Sequence, residues 1–281
     1  MKSARPDAVP IWGGTDVMVE INLDRHRPAA ILDLTRVHEL TDWDVDAKLL
    51  RVGAGVTYTR ILDELADRLP GLAMASRTVG SPQIRNRGTV GGNLGTASPA
   101  GDAHPPLLAS DAIVEVASKS ATRRIPSREF FVGPKKNAMR PDELIAAFLV
   151  EPAQGGQQFS KVGTRNAMVI AVCSFALALD FARRQVGTGI GSAGPTPLRA
   201  PAAEEFLAGA LAESGLWECP ACLPDQVAQR FGELVAAAAR PIDDVRGTAA
   251  YRRHALSVLA RRTLGWAWDS YRAGDGASRC G

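Results

Sequence analysis

The stretch Thr89-Val90-Gly91-Gly92-Asn93-Leu94-Gly95-Thr96-Ala97-Ser98-Pro99-Ala100-Gly101-Asp102 decides how this chain is read. With Ser81 to Gly88 ahead of it, the segment is crowded with Gly, Ser, Thr, Asn and Pro, a loop composition that runs longer than loops in compact domains usually do. A loop of that length has a task. Its paired glycines let consecutive N–H groups approach a bulky anion, the nest arrangement that holds diphosphates. A second pair stands in Trp12-Gly13-Gly14-Thr15-Asp16, and two such loops together can grip one dinucleotide. Thr15, Thr89, Thr96 and Ser98, with the Asn93 amide, supply donors for phosphate and sugar oxygens, while Asp16 and Asp102 can accept from ribose-type hydroxyls. Taken alone, each Gly-Gly pair also suits an ordinary hairpin or bulge.

Outward from these loops, Val9 to Trp12, Ala30 to Leu34 and Leu49 to Gly53 have strand length and composition, and Ile61, Leu62, Leu65 and Leu69 recur at helical spacing. Asp142 to Val150 is another strand-like run ending at Pro152, and the turn-rich Ala153 to Gln158 marks a domain boundary. Beyond it, Val169 to Leu179 and Gln185 to Ile190 read as a hairpin, and Phe206 to Leu216, Gln226 to Ala239 and Ala249 to Tyr271 as helices. Gly189-Ile190-Gly191-Ser192-Ala193-Gly194 matches a dinucleotide fingerprint literally, but it follows Arg183-Arg184-Gln185, and Pro195 and Pro197 stand where the helix should open. It reads as a strand running into a turn. The expected class is α+β, with residues 1–155 as one domain and 156–281 as a smaller α+β unit of antiparallel sheet and helices.

Composition bounds the function. The 281 residues are 46% hydrophobic and 22% charged, an ordinary globular balance, and 33 basic against 30 acidic residues leave a net +3, no footprint for a dedicated nucleic-acid binder. Met1 to Pro10 lacks the apolar core of a signal peptide, and Ala167 to Leu179, the longest apolar stretch, falls short of the roughly 20 residues a membrane span needs. A cytoplasmic location and four reduced cysteines (Cys173, Cys219, Cys222, Cys280) are the expectation. Cys219-Pro220-Ala221-Cys222 is half a zinc site without its second half, so no metal is assigned. His26, His38, His104 and His254 are scattered without a nucleophile, so no catalytic residue is assigned either; His104 stands out only for lying two residues past Asp102. Trp266 and Trp268 suit either a partner surface or the core.

The two loops, with Val79-Gly80-Ser81-Pro82-Gln83-Ile84-Arg85-Asn86 between them, Lys161-Val162-Gly163-Thr164-Arg165 and the late Asp244-Val245-Arg246-Gly247-Thr248-Ala249-Ala250-Tyr251-Arg252-Arg253, resemble in order and extent the FAD-binding medium subunit of the molybdenum hydroxylases, the family of xanthine and aerobic carbon monoxide dehydrogenases. The resemblance implies a two-subdomain FAD-binding domain of the vanillyl-alcohol-oxidase type followed by a C-terminal flavoprotein domain. It implies an FAD that takes electrons from the iron–sulfur clusters of a [2Fe-2S] small subunit, beside a molybdopterin-binding large subunit, and passes them to NAD or a quinone. Within the family the resemblance is greatest to xanthine dehydrogenases, which use NAD; carbon monoxide, aldehyde or N-heterocycle dehydrogenases with a quinone acceptor, or a cofactor-free assembly scaffold, stay open. Carried over by position, Gly13, Gly14, Thr15, Asp16 and Val17 and then Thr89, Gly91, Gly92 and Asn93 would wrap the diphosphate. Asp102 would fix a polar group of the cofactor, Ile145 and Lys161 would touch FAD, and Ile170 would lie against the flavin ring. Arg85 and Arg87 flank the second loop and could attract the diphosphate or simply be solvated. Family members begin with a further strand and helix, whereas only residues 1–12 precede Gly13 here, so a sheet frayed at one edge, or a different natural start, is expected.

Overall fold

The computed structural model describes residues 2–46 and 48–273. The chain opens with β1 (Val9–Ile11), the first two-glycine turn, α1 (Val17–Asn22) and β2 (Ile31–Asp33), which lies parallel to β1 with Val9 opposite Ile31. There follow β3 (Trp43–Asp46), β4 (Leu49–Gly53), α2 (Tyr58–Glu64), α3 (Pro70–Arg77), α4 (Pro82–Arg85), α5 (Val90–Thr96) and α6 (His104–Ala109). The first half closes with β5 (Ile113–Ala117), β6 (Thr122–Pro126), α7 (Ser127–Phe130), β7 (Phe131–Gly133), β8 (Lys136–Asn137) and β9 (Leu144–Val150). Strands β3-β4-β9-β5-β6 form a five-stranded antiparallel sheet. Its inner side chains, among them Leu50, Val52, Val114 and Phe148, bury themselves against Ile61, Leu65 and Leu94 of the helical segments.

Much of the glycine-rich segment is helical, in α4 and α5, and Ala97–Asp102 remains a loop. Ser81 Oγ accepts from the Ile84 N–H at 3.4 Å and Pro82 starts α4; Thr89 Oγ1 accepts from the Gly92 N–H at 2.9 Å and opens α5. Each cap satisfies a donor that the first helical turn leaves orphaned, enough to draw a loop-like composition into short helices.

The second half holds β10 (Gln157–Val162), β11 (Cys173–Asp180) and β12 (Gln185–Gly191), an antiparallel sheet in that order, then α8 (Pro201–Glu213), α9 (Asp225–Ala238) and α10 (Ala249–Ala273). The hairpin expected from periodicity is present, with Phe175 opposite Ile190 and Asp180 opposite Gln185. Phe175, Leu177, Phe231, Leu256 and Trp268 form a separate core. Trp268 is buried and donates to the Ala221 carbonyl at 2.8 Å, whereas Trp266 is half exposed.

The two halves meet through the segment that imitates a dinucleotide fingerprint. On β12, Gly187 and Gly189 share one face by strand alternation, and a side chain at either would collide with the carbonyl of Ala109 or of Pro105 in α6. Bare Cα atoms therefore let α6 lie backbone against backbone on the second sheet. Val186, Thr188 and Ile190, on the other face, are buried in the second half. A small third cluster, Ala75, Ala109, Phe159 and Ala176, fills the same seam.

Cys173 and Cys222 are free thiols, and burial pushes the Cys173 thiol up to about 12. Cys219 is disulfide-bonded, which corrects the expectation that it is reduced. Cys280 lies outside the described residues. Among the described residues no helix is long and apolar enough to cross a membrane.

Candidate functional site

The two glycine pairs, about eighty positions apart in the chain, line one cleft of about 480 Å³. The first loop turns at Gly14, whose φ of +73° favours glycine. Gly13 is needed for a different reason, since a side chain there would collide with the Arg87 carbonyl just ahead of the second loop. Thr96 Oγ1 donates to Asp16 Oδ2 at 2.8 Å and ties the end of α5 to the start of α1. Gly13 to Val17, Thr89, Gly91, Gly92 and Ile145 all line the cleft.

The adjacent glycines of α5 do unlike work. A Cβ at Gly91 would stand 2.5 Å from Ala54, so that glycine serves packing. A Cβ at Gly92 would meet only the Thr89 hydroxyl, at 3.2 Å, and otherwise open space. The bare face at Gly92 is where a bulky anion can reach the first-turn N–H groups of α5, whose partial positive charge favours it. Lys135, Asn137 and Arg140 also line the cleft, and Asn137 Nδ2 donates to the Gly95 carbonyl at 3.0 Å. They escaped the sequence reading because they sit in the β7–β8 hairpin and the turn after it, with only ordinary polar composition as a signal. Arg85 is spent within its own loop on the Val79 and Gly80 carbonyls at 3.2 and 3.1 Å, and Arg87 is exposed. Neither lines the cleft.

Beyond α5 lies a buried polar cluster. Lys161, on β10, is 7% exposed and donates to Asp102 Oδ2 at 2.6 Å and to the Thr78 carbonyl at 3.3 Å, while Thr78 Oγ1 donates to the same carboxylate oxygen at 3.2 Å. A solvated lysine is thereby ruled out, and the ion pair spans the seam between the halves. Burial raises the Asp102 pKa despite the opposing pull of Lys161 and Thr78. His104 is fully buried, with Nε2 3.1 Å from the Asn93 carbonyl and its ring 4.5 Å from that of Phe131, and burial pushes its pKa down to about 4. Two acceptor atoms here have no partner: Asn93 Oδ1 and Asp102 Oδ1. Buried polar atoms are seldom left so, and a ligand bearing N–H and O–H donors would satisfy them. Ile170 lies apart from the cleft, on the exposed β10–β11 loop at 52% exposure beside Met168.

A second cleft of about 470 Å³ at the seam has charges that are already paired, Arg199 with Asp111 and Glu204 and Arg183 with Glu151. Arg184 pairs with Glu218 and Asp180 with Arg183, so among the described lining residues Glu205 is the charge left without an ion pair.

Residues 1–151 match the FAD binding domain in molybdopterin dehydrogenase, and residues 158–267 the CO dehydrogenase flavoprotein C-terminal domain. The chain belongs to this FAD-binding family. Its cofactor is FAD, and it is a subunit of an oxidoreductase. It is 34% identical over 216 residues to a nicotinate dehydrogenase FAD-subunit of Eubacterium barkeri, covering 73% of each chain. It is 29% identical over 270 residues to a putative xanthine dehydrogenase FAD-binding subunit of Escherichia coli, covering 92% of this chain and 88% of that one. The structure superposes on reconstituted CO dehydrogenase from Oligotropha carboxidovorans with a TM-score of 0.84 at 25% identity, over 94% of this chain and 90% of that one. The residues present fit FAD: a bare-faced cleft suits an anion, and Asn93, next to Gly92 in α5, belongs to a buried cluster short of donors, although neither it nor Asp102 nor Lys161 lines the cleft.

Proposed function

We propose that this chain is the electron-transferring medium subunit of a molybdenum hydroxylase, working beside a molybdopterin-binding large subunit and a [2Fe-2S] small subunit. The observation that carries the reading is the convergence of both glycine loops on one cleft. FAD supplies the exchange between one-electron donors and a two-electron acceptor. The amides of Gly13 to Val17 and of the α5 first turn hold its diphosphate, with the bare face at Gly92 admitting the anion. Asn93 Oδ1 and Asp102 Oδ1 accept hydrogen bonds from the cofactor, and Ile145 floors the cleft beneath Gly95. Lys161, held in place by Asp102 and the Thr78 carbonyl, would supply a fixed ammonium to a bound flavin and so would favour negative charge on it. Ile170 is assigned to the ring face by position in the sequence alone, since the exposed β10–β11 loop holds it apart from the cleft. Residues 1–155 bind the cofactor and 156–281 brace it, a division supported by the two separate cores.

For the whole enzyme we propose xanthine as substrate and NAD as acceptor, in the cytoplasm. A carbon monoxide, aldehyde or N-heterocycle dehydrogenase with a quinone acceptor is the alternative, and steady-state turnover of the assembled enzyme with each substrate and acceptor separates them.

The binding assignment is tested by the visible spectrum and released cofactor of the purified chain against Gly92→Val. The branched side chain is expected to abolish flavin retention, and because its Cβ presses on the Thr89 hydroxyl that caps α5, the Tm of the variant is measured alongside to show that the fold is kept. Unchanged flavin content in the variant would overturn it. Gly91→Val is the wrong test, since it strikes the Ala54 backbone.

A further inference from the structure

The late motif Asp244 to Arg253 has no atom in the cleft, yet one of its residues reaches towards the flavin site through the protein. Arg252, near the start of α10, is 5% exposed. Its Nη1 donates to the Ser192 carbonyl at 2.7 Å and its Nη2 pairs with Asp244 Oδ1. Asp244 is held in turn by the N–H of Arg246 at 2.8 Å. Ser192 ends the β12 hairpin strand in a left-handed conformation, φ +57°, which a serine adopts only when its surroundings hold it there. The Ser192 N–H donates to the Pro99 carbonyl at 2.9 Å. Pro99 lies in the Ala97–Asp102 segment, three residues before Asp102, which pairs with Lys161. A continuous strut thus runs from the tail motif through Ser192 to the loop that carries the buried carboxylate.

We infer that Arg252 is a positioning residue of the flavin site, acting through Ser192 and Pro99 on the Ala97–Asp102 loop. This rests on the assignment of Asp102 and Asn93 to the cofactor. Three features support it. A charge-assisted bond from a buried guanidinium to a carbonyl is stronger than a neutral one, so it can hold Ser192 in its unfavoured conformation. Arg252 bridges two segments with separate nitrogens of one rigid plane, which fixes their spacing as well as their contact. The strut also crosses the seam between the halves, and Asp102 meets Lys161 across that same seam. The competing account, in which Arg252 only anchors the start of α10 to Asp244, predicts a loss of thermal stability without a change at the flavin.

The test compares the full chain with Arg252→Met and Arg252→Lys, measuring Tm, the FAD dissociation constant of the apo-protein by flavin fluorescence, and the visible circular dichroism of bound flavin. Loss of the strut in Arg252→Met is expected to weaken FAD about tenfold and to alter the flavin dichroism well below the variant's Tm. Arg252→Lys keeps a charge beside Asp244 but cannot span both partners, so it recovers Tm more than it recovers FAD affinity. Should Arg252→Met fail to fold, Arg252→Lys decides alone: weakened FAD binding supports the inference, and affinity within about twofold of the parent overturns it. A parent chain that binds no FAD overturns the functional reading as well, whereas a parent and variants that bind it equally overturn only the role of Arg252.

Discussion

His104 makes the stability of the first half depend on pH in a calculable way. Its ring is fully buried beside Phe131 and carries a pKa of about 4, against 6.5 in water, because burial disfavours the charged form. With a depressed native value, the unfolded chain takes up a proton near pH 6.5 while the native chain refuses it until near pH 4. Stability is therefore full above 6.5 and falls as the pH drops towards 4. A gap of about 2.5 units allows at most about 3 kcal/mol, and the part of it lost between pH 7 and pH 5 is about 2 kcal/mol. The perturbation is His104→Gln, whose amide can donate to the Asn93 carbonyl in place of Nε2 and does not titrate. Urea unfolding at the two pH values should show the parent losing about 2 kcal/mol more than the variant, or roughly 0.7 M in midpoint for an m-value on the order of 3 kcal/mol/M. Asp102 has the opposite sign. Its raised native pKa gives stability that is present below the unfolded value and lost as the pH rises through the native one, but it is common to both proteins and cancels in the comparison. Identical pH dependence in parent and variant would refute the reasoning, since His104 would then be charging at no cost.

Gly189→Ala should cost about 1–3 kcal/mol in a thermal melt, because its new methyl meets the Pro105 carbonyl, whereas Gly209→Ala, exposed on α8 with nothing nearby, should gain about 0.5–1 kcal/mol. Lys161→Met should lower the potential of the bound flavin in a redox titration: losing a charge-assisted interaction of about 1.5–3 kcal/mol corresponds to roughly 30–60 mV for a two-electron couple. An unchanged potential would place Lys161 away from the ring. Trp268→Ala should cost about 3–5 kcal/mol and Trp266→Ala less than about 0.5, read by chemical denaturation, since only the first fills the core.

Much of this was legible in the linear order of residues. The hairpin of β11 and β12, the three late helices and the two glycine pairs follow from periodicity and from the special backbone freedom of glycine, both local properties. The fingerprint look-alike at Gly189 was rightly set aside from its neighbours alone, but the use of its glycines was not visible, because the α6 backbone that needs the room comes from some eighty residues earlier. The segment Ser81 to Asp102 reads as loop by composition, yet up to Thr96 it folds largely as two short helices, because two hydroxyl caps outweigh the weak propensities around them.

Chemistry-bearing residue types and their spacing are a matter of covalent order, so the motifs and the kind of ligand they suit were settled before any folding was considered. Burial and proximity are not. Gly91 and Gly92 are chemically identical neighbours, yet one fits against Ala54 and the other faces an open cleft. Lys161 and Asp102 stand 59 positions apart in the chain, and only the closing of the halves pairs them and shuts water away from both. The reach of Arg252 to Ser192 likewise belongs to contacts between segments distant in the chain. Such contacts come from long-range packing, in which each side chain's surroundings are set by residues that no local pattern names.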